Sequence, residues 1–389
     1  MQKKHLLLLF ITMFLMMLGF GIIIPVMPFF AKNLGASPLQ ISILFASYNI
    51  MQFIFSPIWG ALSDRIGRKP LVLFGLLGFS CTFVLFGLAS SYPEMLIYRI
   101  LSGIISAAAV PTVTAIVADW LPPTERSKGM GIIGAGVGLS FVFGPAIGGV
   151  LGQNHYSYPF FASGIVAFIT FFFVLAMLPE SLPKEKRSHI VREKRGNPLQ
   201  ALTGPLSLMY NVLFIVSFVF AGFEAVFALY INELYGLSSE DLGYMFLVMG
   251  IIAAIIQGGF IGKLVKSYGE PTILAVGLFL YVLGFVSVNF GTNFWTFSLV
   301  LSLFGAGQGM IRATSTAMIT QRTTQGQGIT SGTMSSMDSL GRILGPLVAG
   351  SLYEVLKNSP FILGAVLMII LLIWFQMSKD RLPKINPNA

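Results

Sequence analysis

The sequence predicts an all-α membrane protein with twelve transmembrane helices in two pseudo-symmetric six-helix bundles. Three observations carry this reading. Of 389 residues, 55% are apolar and only 10% charged, and the mean hydropathy is +0.82, far outside the usage of soluble domains. The apolar residues gather into twelve runs, and crossing about 30 Å of hydrocarbon takes about 20 helical residues. The second half also repeats the first: Gly345-Pro346 follows Gly144-Pro145 by 201 residues, and Gly262–Gly269 follows Gly60–Gly67 by 202.

The runs fall at 6–30, 39–62, 71–90, 92–118, 130–151, 157–178, 208–231, 242–262, 272–290, 294–319, 328–352 and 360–378. Backbone groups in lipid must be satisfied within the segment, so runs of this length are helices rather than barrel strands. The first run has the basic flank of a signal peptide. It is too long for one, and no small-residue cleavage site follows, so it reads as the first span. The charged, Pro-bearing stretch between spans 6 and 7 sets the expected division: an N-terminal bundle at 1–178, a cytoplasmic linker at 179–207 and a C-terminal bundle at 208–389. The linker reads as a plain connection, with an interfacial amphipathic helix as the alternative.

Orientation follows from the basic residues. With the N-terminus inside, 19 of the 24 Lys and Arg fall in cytoplasmic segments, against Lys32 and Lys357 outside and Arg99, Arg312 and Arg342 within spans. Both termini are therefore expected in the cytoplasm. The net charge of +9 is spread over short loops rather than along one stripe, which argues against nucleic acid. One cysteine, Cys81, allows no internal disulfide, and three scattered His (His5, His155, His189) offer no metal site. No phosphate-cradling loop is present. No enzyme activity and no metal are expected; the partners are a small molecule and the lipid bilayer, and a monomer suffices.

The loop Gly60-Ala-Leu-Ser-Asp64-Arg65-Ile-Gly67-Arg68-Lys69 sets one acid and three bases between two apolar runs. Its glycines permit a tight turn, and its carboxylate suits a helix N-terminus or an Arg. It resembles the signature loop of the major facilitator superfamily between helices 2 and 3. The resemblance implies a gating loop that grips the opposite half when the transporter faces outward, with Asp64 at the start of span 11 and Arg68 on an acid at the end of span 4, here Asp119. In the second half Lys266 stands where Asp64 would be, so the latch chemistry is expected in the first half. Further resemblances follow. Arg99 precedes Gly103 by four residues in span 4, as in the superfamily's second motif. Gly144-Pro145 with Gly148-Gly149 is similar to the antiporter motif of helix 5. Span 1, with Gly19, Gly21, Pro25 and Pro28, resembles the first helix of the twelve-span drug/proton antiporters, a branch that includes bacterial multidrug and tetracycline exporters.

Ionisable groups within spans are costly and mark function. Arg99 reads as part of proton coupling, or as an arginine snorkelling outward. Glu224 lies amid Phe220, Phe223 and Phe227, where a charged carboxylate is expensive; it reads as a proton or cationic-substrate site, or as a structural partner of Arg312 or Arg342. Asp338 and Arg342 share a helix face at four-residue spacing, as a proton-sensitive switch in which protonation frees Arg342, or as a static bridge. Multidrug exporters of this pattern carry a further acid in helix 10; here Gln308 precedes Met310-Ile311-Arg312, so Asp338 is the candidate substitute. Tyr48, Asn49, Gln52, Phe141, Phe223, Phe227, Tyr230 and Gln257 are candidates for a cavity with apolar walls and sparse polar points, with core packing as the alternative.

The expected function is proton-coupled efflux of amphipathic drugs or related small molecules by alternating access, with the proton as coupling ion and no cofactor. The competing expectation is a dedicated exporter of one natural product such as a siderophore, lipid or sugar, or an uptake symporter.

Overall fold

The computed structural model describes residues 2–183, 187, 204–323 and 327–383. The question of what form the linker takes therefore falls largely outside the described residues. In chain order the long helices are α1 His5–Asn33, α2 Pro38–Ile66, α3 Arg68–Gly87, α4 Tyr92–Trp120, α5 Pro123–Asn154, α6 Tyr158–Met177, α7 Ser207–Tyr235, α8 Ser239–Tyr268, α9 Glu270–Val288, α10 Phe294–Arg322, α11 Gln327–Val355 and α12 Ser359–Ser378. Eleven of them are long and apolar enough to cross a membrane. The exception, α11, has 29 residues and ample length, but Asp338, Arg342 and a run of Ser, Thr and Gly lower its apolarity.

Three helices are interrupted. Pro25, which lacks an N–H, lies in a turn at 24–26 of α1, where Ile24 and Val26 donate three residues back, to Gly21 and Ile23. A turn at Ala107 and Ala108 divides α4; the Trp59 indole donates to the Ile104 carbonyl there, at 2.7 Å. A π-helical turn, Ile256–Phe260, divides α8.

The residues separate into two compact units. The first comprises Met1–Ser37, Ser47–Val191 and Ser238–Leu247; the second comprises Pro38–Ala46, Arg192–Leu237 and Val248–Ala389. Each unit thus contains a short segment from the other half of the sequence.

In the first unit α1 packs on α5 so closely that a methyl on Gly144 would sit 2.8 Å from the Gly21 Cα. In the second unit α7 packs on α11 in the same way: a methyl on Gly222 would sit 3.0 Å from the Gly345 carbonyl. Gly222 follows Gly21 by the 201 residues that separate Gly345 from Gly144, so both partners of the contact are duplicated. The exchanged segments obey the same register. Gly149 abuts Glu240 and Gly243 of α8, while Gly350 abuts Leu39 and Ser42 of α2. Small residues at these crossings allow the helices to meet backbone to backbone.

The units differ in filling. The first has an aliphatic cluster between α1, α3, α4, α5 and α6, with Leu9, Leu76, Val113 and Val174 among its buried members, and a smaller aromatic one in which Phe86 stacks on Phe160 at 4.7 Å. The second has an aromatic interior in which Phe223 stacks on Phe227 at 4.4 Å and lies 4.8 Å from Phe304.

Candidate functional site

At the end of α2, Ser63, Asp64, Arg68 and Asp119 form one cluster. The buried Arg68 guanidinium pairs with Asp64 at 2.6 Å and Asp119 at 3.1 Å, and donates to Ser63 Oγ at 2.5 Å. Ser181 donates to the same Asp119 oxygen at 2.7 Å. Glu180, which the sequence reading passed over as part of the linker, accepts from the backbone N–H groups of Arg68 (2.9 Å) and Lys69 (3.3 Å). It thus caps the free donors that open α3. Gly67 turns the chain between α2 and α3 with φ +110°. Gly60 lies one turn before Asp64, and Arg65 is exposed.

Higher in the first unit, Arg99 is buried, its guanidinium 4.3 Å from the centre of the Tyr48 ring and 5.9 Å from that of Phe20. Cation–π contact of this kind steadies a desolvated arginine. Gln52 donates to the Tyr48 hydroxyl at 2.8 Å, and that hydroxyl shares a 3.1 Å bond with Ser106 beside the α4 turn. Phe20 meets Tyr48 and, edge-on, Phe141, which stays exposed; Asn49 is half-buried. Phe20, Tyr48, Gln52, Arg99 and Phe141 therefore belong to one aromatic and polar group drawn from four helices. Pro145, Gly148 and Gly149 lie on α5, with Gly148 packed against the Ile22 carbonyl and Gly149 against α8.

In the second unit, Asp338 accepts from Arg342 Nε at 3.0 Å through Oδ2 and from Ser217 Oγ of α7 at 2.5 Å through Oδ1. Glu224 stands within the electrostatic reach of both Arg342 and Asp338, and Arg312 of α10 acts on Asp338 and on Tyr281 of α9. The Tyr281 hydroxyl donates to Gln308 Oε1. Gln308, at the position where an acid was missed, is thus held by a neutral partner. Asp338 and Arg342 of α11 and Ser217 of α7 are thus in contact, and the charges of Glu224 on α7 and Arg312 on α10 act on them.

Four cavity candidates lie elsewhere. Phe223, Phe227 and Tyr230 are about 1% exposed and packed into the aromatic interior of the second unit. At 100° per residue they sit about a quarter-turn round α7 from Ser217 and Glu224, facing α10 and α12 instead. Gln257 lies on the π turn of α8 and is exposed.

A family model described as Major Facilitator Superfamily matches residues 9–279 and 258–389. The chain belongs to the Major Facilitator Superfamily. It is a multi-pass membrane transporter rather than an enzyme. It is similar to multidrug resistance protein 2 of Bacillus subtilis, 33% identical over 97% of each chain, and to quinolone resistance protein NorA of Staphylococcus aureus, 27% identical over 92% of each. Among solved structures it resembles the human organic anion transporter MFSD10, with a TM-score of 0.70 and 25% identity over 96% of this chain and 99% of that one. The nucleoside transporter NupG shares the fold, with a TM-score of 0.76 at 15% identity over 96% and 99%.

Proposed function

We propose that this superfamily member is a proton-coupled exporter of amphipathic small molecules, working by alternating access in a bacterial inner membrane with both termini cytoplasmic. The observation that carries the reading is Glu224, an acid within a membrane span on which the charges of the Asp338–Arg342 couple act. A carboxylate there binds a proton or a cationic group but not both, which is the competition that antiport requires. The names of the two bacterial relatives, a multidrug and a quinolone resistance protein, support efflux. Within the first unit, Arg99, Tyr48, Gln52 and Phe141 are the residues suited to touch cargo. The Asp64–Arg68–Asp119 cluster serves as the gating loop. The coupling ion is the proton, and no cofactor takes part. Growth of an exporter-deficient host on a panel of toxic compounds, with and without the chain, identifies cargo. Inside-out vesicles then test coupling: Glu224→Gln should abolish proton-driven accumulation while leaving membrane insertion intact, and unchanged accumulation would refute the reading.

One observation favours a second reading. Arg99, Arg312 and Arg342 put three cations within the spans, and the relative MFSD10 carries organic anions by its name. An anion would bind best to the protonated carrier and travel with the proton, as in a symporter. The direction of movement in the same vesicles separates the two.

A further inference from the structure

The two oxygens of Asp338 are held by different kinds of donor. Oδ2 takes the charged Nε of Arg342, and Oδ1 takes the neutral hydroxyl of Ser217 from the facing helix. A proton arriving at this carboxylate must displace one of them. Arginine is donor only and cannot turn to accept, whereas a serine hydroxyl does both. The bond to the charged group is also the stronger of the two. The proton therefore goes to Oδ1.

We propose that Ser217 is a positioning residue for proton coupling: it fixes the oxygen on which Asp338 is protonated and keeps Arg342 attached to Asp338 through the proton cycle. In the ionised state Ser217 donates to Oδ1. In the protonated state the new O–H on Oδ1 donates to Ser217 Oγ, and the serine hydrogen turns to the Leu213 carbonyl four residues back. That is the bond which Thr12, Thr112 and Ser140 already make within their own helices. No bond to Arg342 breaks. This differs from the sequence expectation that protonation releases the arginine.

The consequence reaches Glu224 through charge rather than movement. Ser217 and Glu224 are seven residues apart on α7, so they share one stripe about two turns in length. Arg342 lies one turn beyond Asp338 on α11 and interacts with both acids. Once Asp338 is neutral, the arginine charge is left to Glu224. The groups in contact with Asp338 are Arg342 on its own helix and Ser217 on α7; the charges of Glu224 on α7 and Arg312 on α10 also interact with it, and Tyr281 of α9 interacts with Arg342 and Glu224, while α12 has no charged residue.

The inference rests on Asp338 being a proton site, and infrared titration of the full chain in liposomes separates the two claims. The Asp338 carbonyl band is identified by its loss in Asp338→Asn. In Ser217→Ala the midpoint of that band should move by about one pH unit to the alkaline side, the worth of a hydrogen bond to a charged group. Its stretch should rise in frequency because the acid proton has lost its acceptor. Ser217→Thr, which keeps the hydroxyl, should restore both. A Ser217→Ala protein with the wild-type melting temperature, midpoint and frequency overturns the inference and leaves Asp338 as a proton site. If Ser217→Ala does not fold, Ser217→Cys should move the midpoint the same way by less, and no movement overturns it equally. If Asp338→Asn removes no titrating band, Asp338 is not a proton site, and its part in the proposed function falls with this inference.

Discussion

At Gly67 the backbone has φ +110° and ψ 162°, a region essentially reserved for glycine. A methyl group there would also lie 2.5 Å from the Glu180 carboxylate. Gly67→Ala should therefore cost about 1–3 kcal/mol and push Glu180 off the start of α3. The check is a lower melting temperature together with slowed transport in vesicles. Arg68 poses a different question, because it answers two acids at once. Arg68→Ala leaves Asp64 and Asp119 facing each other without a cation, whereas Asp119→Asn leaves Arg68 with Asp64. The first should impair transport far more than the second, measured at equal amounts of protein in the membrane.

At the level of the helix, the close crossings make a sharper test than the charges. Gly144→Leu should force α5 from α1, and Gly222→Leu should force α7 from α11. Overpacking a tight core costs about 1–3 kcal/mol or more, and at a backbone contact the higher end is expected. Because the two sites occupy one register, comparable losses of melting temperature should follow from both. These helices were legible in the sequence as long apolar runs, and the glycine-proline pairs announced their duplication. Other features left no trace. The turn in α4 falls on Ala107 and Ala108, the best helix former of all, so propensity pointed the other way. Ser217 looked ordinary because a serine in a helix usually bonds its own turn. Phe223, Phe227 and Tyr230 were read by residue type; their angular position on α7, which decides what they face, depends on which helices surround it. Glu180 was hidden by its place in a charged stretch whose other members suggested a tether.

For the whole molecule, the exchanged segments matter most. Pro38–Ala46 is part of the second unit and Ser238–Leu247 part of the first, and the Leu39 N–H is capped by Glu354 at 3.1 Å. Each half of the sequence, expressed alone, would lack a piece of its own unit. Residues 1–183 and 204–389 should therefore melt at a clearly lower temperature separately than when co-expressed and purified together; equal melting would show that the exchange adds nothing.

The polarity of α11 bears on how the chain is made. A charged residue at the centre of a membrane helix costs about 2.5–3.5 kcal/mol on insertion, and α11 brings two. Pairing Asp338 with Arg342 within the helix removes part of that cost, and the Ser217 hydroxyl on α7 offers the carboxylate a further donor. Since Ser217 precedes Asp338 by 121 residues, α7 leaves the ribosome first and is expected in the bilayer when α11 reaches the translocon. The order of synthesis thus supplies what the helix lacks in hydrophobicity, and a chain whose α7 cannot receive Asp338 would be expected to strand its penultimate span at the point of entry.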